Sequence, residues 1–278
     1  MNHYFVEQLS SLAHPQRLML FRLLVRRYPD HLSAGEIAAV LDVRPNTLST
    51  YLNTLRQAGL IRQTRAGRSL LYRVDMDTAG SLVSFLVDEC CRGRPDLCPT
   101  GPDDRSGDVP LQRPVHDVLF ICTGNSARSI FAEAILRDIG GGRFNPHSAG
   151  TRPASKIHPL ARQVLEAHGH EWASLGPKTI AALPTQHATK MDFVFTVCDR
   201  AANEDGPTQP GQPITAHWGQ PDPVSVTGTA DERRAAFEQA YQALRTRIQR
   251  FTELDLATMD RLSRQRAVDD LATEKDCA

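Results

Sequence analysis

One stretch without apolar periodicity constrains this chain more than any other feature of its sequence. Residues 99–114, PTGPDDRSGDVPLQRP, are rich in Pro, Gly and Asp and have the composition of a linker. A chain of 278 residues is long enough for two domains that each bury a core of their own. We therefore predict a first domain over 1–98, this linker, a second domain over 115–255 and a charged C-terminal tail with a short helix over 256–278.

The composition, 41% hydrophobic and 23% charged, is typical of a water-soluble globular protein. No apolar run approaches the roughly 18–20 residues that span a bilayer, and the N-terminus lacks the pattern of an export signal. We expect a cytoplasmic protein with no membrane partner. Thiols stay reduced there, so we interpret the cysteines as catalytic, metal-binding or redox groups. They are Cys90, Cys91, Cys98, Cys122, Cys198 and Cys277.

The first domain has the sequence pattern of a mainly α, winged helix-turn-helix fold. Apolar spacing, a capping box and turn residues predict two helices within 5–25 separated at 14–15, a capped helix over 33–41, a turn over 42–45, a helix over about 46–58 and a two-stranded ribbon over 61–74 with its tip at 65–68. A further helix is expected over 77–89. It carries an apolar stripe that would pair across a dimer, made of Leu82, Val83, Phe85 and Leu86.

This domain also has a strong local charge. Six arginines lie between Leu41 and Arg73, against one acidic residue, Asp42, and no lysine. A basic surface of this kind suits a phosphate backbone. The alternative is a solvated face on a protein-interaction module, because charge alone does not identify the partner.

Three runs in this domain resemble the ArsR-type family of metalloid-responsive repressors. They are Leu12-Ala-His-Pro-Gln-Arg17-Leu, Asn46-Thr-Leu-Ser49-Thr-Tyr-Leu-Asn53-Thr-Leu, and Ala58-Gly-Leu-Ile followed by Arg65-Ala-Gly-Arg68. The resemblance covers roughly residues 5–90. It implies a homodimer, formed through this domain, that binds a palindromic operator DNA with one helix in the major groove and the wing on phosphates or the minor groove. The residues implied to contact DNA are Arg44, Asn46, Thr47, Ser49, Thr50, Arg65 and Arg68.

Three cysteines, Cys90, Cys91 and Cys98, lie close together just before the linker. Thiols so spaced can converge on one soft, three-coordinate ion, and arsenite prefers three thiolate sulfurs. Some arsenite-sensing ArsR-type proteins have a similar cysteine pair and a later cysteine, so the resemblance implies an arsenite site, with arsenite as the inducer. The alternatives are a zinc site, for which no fourth ligand is evident nearby, and inert cysteines.

The second domain opens with a strand-like run that leads into a glycine-bearing loop and then a helix. The run is Val115-His-Asp-Val-Leu-Phe-Ile-Cys122-Thr-Gly-Asn-Ser-Ala-Arg128-Ser129, followed by helical residues 130–139. Such a loop directs backbone N–H groups inward and makes an anion cradle at a helix N-terminus. The same field would stabilise the Cys122 thiolate, and Arg128 would grip a tetrahedral oxyanion. The loop residues expected around the oxyanion are Thr123, Gly124, Asn125, Ser126, Ala127 and Ser129.

Transfer of a phosphoryl or arsenyl group also needs a proton donor for the leaving oxygen. The candidate is Asp222, in His217-Trp-Gly-Gln-Pro-Asp222-Pro, on a loop that can lie over the cradle. Asp-Pro alone is usually a turn. Its position well after the nucleophile, however, matches the low-molecular-weight tyrosine phosphatase family.

Residues 115–255 resemble that family and, within it, the arsenate reductases. The runs that carry the closer match are Cys122-Thr-Gly-Asn-Ser-Ala-Arg-Ser, His147-Ser-Ala-Gly150-Thr, Phe195-Thr-Val-Cys198-Asp and Ala216-His-Trp-Gly with Asp222-Pro. The resemblance implies an α/β domain of three layers with a central parallel sheet. Tyrosine phosphatases of the family usually have an aromatic residue directly after the Asp-Pro, and Val224 in that position disfavours an aryl-phosphate pocket.

The resemblance further implies a mechanism. Cys122 attacks arsenate held by Arg128 and the loop amides, and Asp222 protonates the departing oxygen. Ser129 lowers the pKa of the Cys122 thiol, while Asn125 holds the shape of the loop. Cys198 has the position of the resolving cysteine, which attacks the arseno-cysteine and releases arsenite. The alternative for Cys198 is a small residue packed at a strand end.

The chain departs from the thioredoxin-coupled members at Gly206, where they carry another cysteine. A Cys122–Cys198 disulfide reduced directly, attack by glutathione or another small thiol, and help from Cys277 all stay open. We expect no tightly bound cofactor and an external thiol reductant, such as thioredoxin, glutaredoxin with glutathione, or a similar partner.

These expectations combine into a bifunctional protein: an arsenic-responsive repressor fused to an arsenate reductase whose product is the inducer. One alternative is a low-molecular-weight phosphatase, acting on phosphotyrosine or small phosphate esters, fused to a DNA-binding regulator. Another is a regulator whose second domain senses oxyanions without turnover. The presence of both a nucleophile and an acid, Cys122 and Asp222, disfavours the last, because binding alone needs neither.

Overall fold

The computed structural model describes residues 3–91, 115–183, 191–204 and 213–273. The chain divides into two compact units, Met1–Asp103 and Asp104–Ala278. The predicted linker, within which this division falls, lies outside the described residues. No helix in the described ranges is both long and apolar enough to cross a membrane.

The first unit has the predicted mainly α, winged helix-turn-helix fold. Its helices are α1 (His3–Leu12), α2 (Pro15–Arg26), α3 (Ala34–Leu41), α4 (Pro45–Gln57) and α5 (Met76–Ser84), and its strands are β1 (Leu32–Ser33), β2 (Ile61–Ala66) and β3 (Ser69–Val74). The strands form one antiparallel sheet in the order β1-β3-β2. Leucines at helical spacing fill the core, among them Leu20, Leu23, Leu24, Leu48, Leu52 and Leu55.

Local capping explains where these helices begin and end. The side chain of His14 accepts the N–H of Gln16, so α2 begins directly after the predicted break. Ser33 and Glu36 form the predicted capping box of α3, which ends at Asp42 in the left-handed conformation. Gly59, with φ of 73°, follows α4 and lies where a Cβ would be 3.0 Å from the hydroxyl of Tyr4.

The wing is a tight hairpin. β2 and β3 pair from Ile61 opposite Val74 to Ala66 opposite Ser69. The turn therefore consists of residues 67 and 68, and Gly67 has the positive φ that a two-residue hairpin turn requires. The structure confirms the predicted ribbon and narrows its tip to these two residues.

The helix predicted over 77–89 is two elements in the structure. α5 ends at Ser84, and Phe85–Cys90 forms a π-helical segment. The N–H of Cys91 bonds to the carbonyl of Leu86, five residues earlier, at 2.9 Å. Apolar spacing alone does not distinguish this wider helical turn from a regular α-helix.

In the same region the structure corrects the prediction that the apolar stripe pairs across a dimer, because two of its residues pack within the first unit. Leu82 is buried in the core of the first unit itself, and Phe85 stacks on Phe5 of α1 at 4.1 Å between ring centroids. Val83 is 59% exposed and therefore remains available to a partner. The stripe was identified from helical spacing, which does not show that α1 already covers part of it.

The second unit has a parallel four-stranded sheet flanked by helices, as predicted. Its strands are β4 (His116–Cys122), β5 (Phe144–Gly150), β6 (Phe193–Thr196) and β7 (Ile214–His217), and its helices are α6 (Arg128–Ile139), α7 (Pro159–Ala167), α8 (Asp199–Asn203), α9 (Ala230–Glu253) and α10 (Arg261–Thr273). All neighbouring strands pair parallel, in the order β5-β4-β6-β7. β4 is almost wholly buried because it lies inside the sheet with helices around it.

The segment predicted as a tail is largely part of this second unit. Val268 and Leu271 of α10 are buried in its core, and Trp218 Nε1 donates to the carbonyl of Val268 at 3.3 Å. Gln265 bonds to both backbone groups of Thr215 on the edge strand β7. The predicted boundary at 255 is therefore too early. This segment is held by two buried apolar side chains, Val268 and Leu271, and by the side-chain amide of Gln265. So few residues form no recognisable pattern in the sequence.

Candidate active site

The site lies where β4 ends, at the carboxyl edge of the sheet. Strand β4 delivers Cys122, the loop over 123–127 follows, and α6 begins at Arg128. Ligands of open parallel sheets bind at this edge, outside the carboxyl ends of the strands. β5, β6 and β7 end at the same edge, so the segments that follow them surround the loop.

Cys122 is buried and closely surrounded by hydrogen-bonding groups. Its Sγ is 2.9 Å from Ser129 Oγ and 3.1 Å from the backbone nitrogen of Asn125. Burial raises the pKa of the Cys122 thiol, while the hydrogen bonds from Ser129 and Asn125 lower it and Cys198 adds to the rise. Ser129 and the loop amide of Asn125 thus act in the predicted direction, although burial outweighs them and the pKa of the thiol is raised on balance.

The loop itself is held from its outer side. The backbone N–H groups of residues 151, 152, 154 and 158 donate to the carbonyls of residues 122, 123, 124 and 126 at 2.8–3.1 Å. On the inner side of the loop, the backbone N–H of Asn125 points to the sulfur of Cys122. Gly150 permits this approach, because a Cβ there would lie 2.7 Å from the carbonyl oxygen of Thr123. The predicted loop residues thus form the turn around Cys122.

Asn125 joins the loop to the strands behind it. It is fully buried, and its φ of 45° is in the left-handed region. Its Nδ2 donates to Ser129 Oγ at 2.9 Å and to Ser148 Oγ at 2.8 Å, and its Oδ1 accepts the N–H of Lys178 at 2.8 Å. A residue in a strained conformation with this many buried contacts fixes the shape of the turn.

One buried acidic side chain behind the loop was not predicted from the sequence. Glu133 on α6 is 4% exposed and accepts a hydrogen bond from Ser148 at 2.5 Å. Its carboxylate pairs with Arg137 at 2.8 Å and with Lys178 at 3.5 Å. The four side chains Glu133, Ser148, Asn125 and Ser129 therefore form a continuous line to Cys122. A glutamate within a helix gives no signal of this in the sequence, because its partners come from distant segments.

Arg128 and Asp222 meet directly. Arg128 Nη2 lies 2.9 Å from Asp222 Oδ1, and Nη1 donates to the carbonyl of Gln220 at 2.9 Å. Asp222 also accepts the N–H of Val224 and begins a short 3-10 turn over Pro223–Ser225. The structure therefore brings the predicted acid to the predicted oxyanion-binding arginine. Val224 is 47% exposed beside them.

Cys198 is the second thiol of the site. It follows β6, is 2% exposed, and its Sγ lies 3.4 Å from Thr123 Oγ1 in the loop. The same sulfur accepts the N–H of Ala201 at 3.4 Å at the start of α8. Residue 206, where a relay cysteine was expected, and Cys277 lie outside the described residues.

The residues predicted to contact DNA are all exposed in the first unit. Arg44, Asn46, Thr47, Ser49 and Thr50 lie at the start of α4, and Arg65 and Arg68 lie in the wing. One arginine of the basic cluster has a structural partner instead. Arg62 Nε lies 2.5 Å from Asp75, the N-cap of α5, and Arg62 together with the Thr78 backbone lowers the pKa of Asp75 although burial opposes this.

The predicted arsenite ligands are only partly described. Cys90 is exposed and Cys91 is half-buried, at the end of the π-helical segment. Cys98 lies outside the described residues, so convergence of the three thiols stays a prediction.

Comparisons with known proteins agree with this division. Residues 117–266 match the family model described as low molecular weight phosphotyrosine protein phosphatase, and residues 12–64 match a helix-turn-helix domain. The second unit is 31% identical over 136 residues to an arsenate reductase of Bacillus licheniformis, covering 49% of this chain and 94% of that protein. An arsenate reductase of Halalkalibacterium halodurans has the same identity and coverage.

The first unit has relatives of another kind. A biofilm growth-associated repressor of Agrobacterium fabrum is 38% identical over 89 residues, covering 32% of this chain and 74% of the repressor.

Among solved structures, an arsenate reductase from Archaeoglobus fulgidus is 21% identical, covers 49% of this chain and 99% of that structure, and has a TM-score of 0.39. Through its second unit the chain belongs to the low molecular weight phosphotyrosine protein phosphatase family, joined to a helix-turn-helix unit of the repressor type.

Proposed function

We propose that this protein is an arsenic-responsive repressor fused to an arsenate reductase. The observation that carries the enzymatic half is the second buried thiol, Cys198, whose Sγ lies 3.4 Å from Thr123 Oγ1 of the anion loop. Hydrolysis of a phosphate ester needs one cysteine and one acid, whereas reduction of arsenate needs an electron donor close to the first sulfur. The similarity to arsenate reductases supports the same choice.

The first step is attack on arsenate. An arsenate oxyanion takes the place of Asp222 in one of the hydrogen bonds of the Arg128 guanidinium and is held by the loop amides. The Cys122 thiolate attacks arsenic, and a sulfur–arsenic bond forms. A hydroxyl group of arsenate departs, takes a proton from the carboxyl group of Asp222 and leaves as water.

The second step is reduction. The Cys198 thiolate attacks the sulfur of Cys122, a disulfide bond forms, and the sulfur–arsenic bond breaks. Its electron pair stays on arsenic, which passes from As(V) to As(III) and leaves as arsenite, while the two cysteines are oxidised. An external thiol reductant, thioredoxin, glutaredoxin with glutathione or a similar thiol, then reduces the disulfide by exchange.

For the first unit we propose a homodimer that binds operator DNA through α4 and the wing. The exposed polar face of α4 supports this, as does the similarity to a repressor. Arsenite bound by Cys90, Cys91 and Cys98 would act as the inducer. The reaction product of the second unit would then release the first unit from DNA.

The enzymatic proposal is tested by thiol-dependent arsenate reduction in the full-length protein, measured with thioredoxin, glutaredoxin with glutathione and a small thiol in turn. We expect turnover with at least one donor. Cys122→Ser should abolish it, because the nucleophile is removed. Cys198→Ser should retain arsenate binding yet lower turnover by at least about a hundredfold, a loss of roughly 3 kcal/mol in transition-state stabilisation.

The second candidate is a phosphatase, which the family model favours. It predicts hydrolysis of an aryl phosphate that is unaffected by Cys198→Ser. Efficient aryl-phosphate turnover combined with negligible arsenate reduction under every thiol donor would decide for it and against the reductase.

A further inference from the structure

The second thiol lies at the start of a short segment that is held at both ends. Residues 198–204, which we call the Cys198 segment, consist of Cys198, the five-residue helix α8 and Glu204. The sulfur of Cys198 is engaged with Ala201 and Thr123, and the residue is 2% exposed. In this position Cys198 does not meet solvent.

The first contact holds the beginning of the Cys198 segment to the end of β7. Asp199 Oδ1 lies 3.1 Å from His217 Nε2, and Nδ1 of the same ring lies 2.8 Å from Thr196 Oγ1. Gly219 packs against this pair so closely that a Cβ would lie 2.6 Å from His217 Nε2 and 2.8 Å from Asp199 Oδ1. The contact therefore joins the segment to the stretch of chain that leads to Asp222.

The second contact holds the end of the Cys198 segment to the anion loop. Arg152 Nη2 lies 2.9 Å from Glu204 Oε1. The backbone N–H of Arg152 in turn donates to the carbonyl of Thr123 at 2.9 Å. The two side chains are 63% and 26% exposed, so this ion pair is accessible to salt.

We propose that the pairs Asp199–His217 and Arg152–Glu204 are positioning pairs that keep Cys198 buried, and that release of the Cys198 segment controls when Cys198 acts as the second thiol. This rests on the proposed function in one respect, the attack of Cys198 on the sulfur of Cys122. For that attack Cys198 Sγ must leave its hydrogen bonds with Ala201 and Thr123. Both pairs oppose this displacement.

The test measures how fast Cys198 reacts with iodoacetamide in the full-length protein, followed by mass spectrometry of the peptide that contains it. Cys122→Ser is the background, so that no disulfide forms between the two cysteines. We expect Asp199→Ala and Glu204→Gln each to accelerate alkylation of Cys198 about fivefold, because loss of one polar contact favours local opening. Asp199→Asn, which retains a hydrogen-bonding oxygen for His217, should have a smaller effect.

The matched control is Glu166→Gln, which removes a similarly exposed ion pair with Arg162 on α7, remote from Cys198 in the sequence. It should leave the alkylation rate unchanged. Concentrated salt should accelerate alkylation in the parent protein but not in Glu204→Gln, since the screened ion pair is already absent there. A purely structural role for Glu204 would not produce that difference.

Unchanged alkylation in both Asp199→Ala and Glu204→Gln would overturn the inference. The measurement needs no arsenate, so its result is separate from that of the reductase assay. Faster alkylation in a protein that fails to reduce arsenate would refute only the proposed enzymatic function. Normal arsenate reduction with unchanged alkylation would refute only the positioning role.

Discussion

At Cys122 opposing influences act on one sulfur atom. Burial disfavours its thiolate, whereas Ser129 Oγ at 2.9 Å and the Asn125 N–H at 3.1 Å favour it. Burial wins in this arrangement, with Arg128 paired to Asp222. A thiol with a raised pKa is largely protonated at neutral pH and reacts slowly with general alkylating agents.

Ser129→Ala should raise the pKa of Cys122 further, because it removes the strongest hydrogen bond to the thiolate. We expect the pH profile for alkylation of Cys122 to move upward by about one pH unit, the effect of losing one hydrogen bond to a charged group. Ser155→Ala, at an exposed position of the same domain, is the control. A profile that does not move would show that Ser129 contributes only to packing.

Helix α10, outside the sheet, is also part of the packed core of the second unit. Helix α10 covers the edge strand β7 through Gln265 and holds Trp218, the residue that leads into the acid loop. On its face, Asp269 accepts a hydrogen bond from Gln265 at 3.1 Å. Burial raises the pKa of Asp269 from an ordinary value of 3.8 to about 6. The folded state therefore opposes ionisation of this carboxyl group.

The pH dependence of folding stability follows from this raised pKa of Asp269. Between about pH 4 and 6 the folded chain binds more protons at Asp269 than the unfolded chain, so stability falls as the pH rises through this window. Asp269→Asn should therefore raise the free energy of unfolding at pH 7.5 by about 1 kcal/mol after allowance for solvent screening, and by less at pH 4. Urea denaturation at the two pH values measures this, with Glu171→Gln, at an exposed acidic position of the second unit, as the control. Equal effects at both pH values would contradict it.

The arginines of the wing have two different environments. Arg65 and Arg68 are exposed near the turn, whereas Arg62 is joined to Asp75 at the start of α5. Arg65→Ala or Arg68→Ala should weaken DNA binding and reduce the slope of log affinity against log salt by about one, if each arginine contacts one phosphate. Arg62→Ala should instead lower stability. Fluorescence anisotropy with operator DNA at several salt concentrations measures the affinity and the salt slope of each variant. An unchanged slope in both Arg65→Ala and Arg68→Ala would remove the wing from the proposed DNA contact.

The proposed function would place two chemistries in one chain. The second unit would make arsenite from arsenate, and the first would bind arsenite through thiols. Linkage in one chain would then keep the arsenite-producing unit and the arsenite-binding unit in equal number. Coupling through the released product requires no defined contact between the units.

Release of operator DNA tests this coupling. Arsenate with a thiol reductant should release the parent protein from DNA, and so should arsenite alone. Cys122→Ser should respond to arsenite but not to arsenate, because it senses without producing. Cys90→Ser combined with Cys91→Ser should respond to neither. Release of Cys122→Ser by arsenate would show direct sensing of the oxyanion by the second unit.

The sequence alone was enough to predict the two-domain plan, the winged helix-turn-helix, the parallel sheet and the loop around Cys122. Each depends on local signals: the capping box at Ser33, the positive-φ glycine at 67, and a strand, loop and helix within a few residues of Cys122. Such features are visible because neighbours in the chain are also neighbours in space.

The remaining features depend on how distant parts of the chain pack together. The meeting of Arg128 with Asp222, the buried charge of Glu133 behind the loop and the docking of α10 on β7 join residues far apart in the chain. The balance on the Cys122 thiol belongs to the same class, because burial is a property of the packed core and no local pattern reports its magnitude. The residues that carry the chemistry lie in short sequence motifs. Contacts between distant segments set the properties of these residues, such as the pKa of the Cys122 thiol.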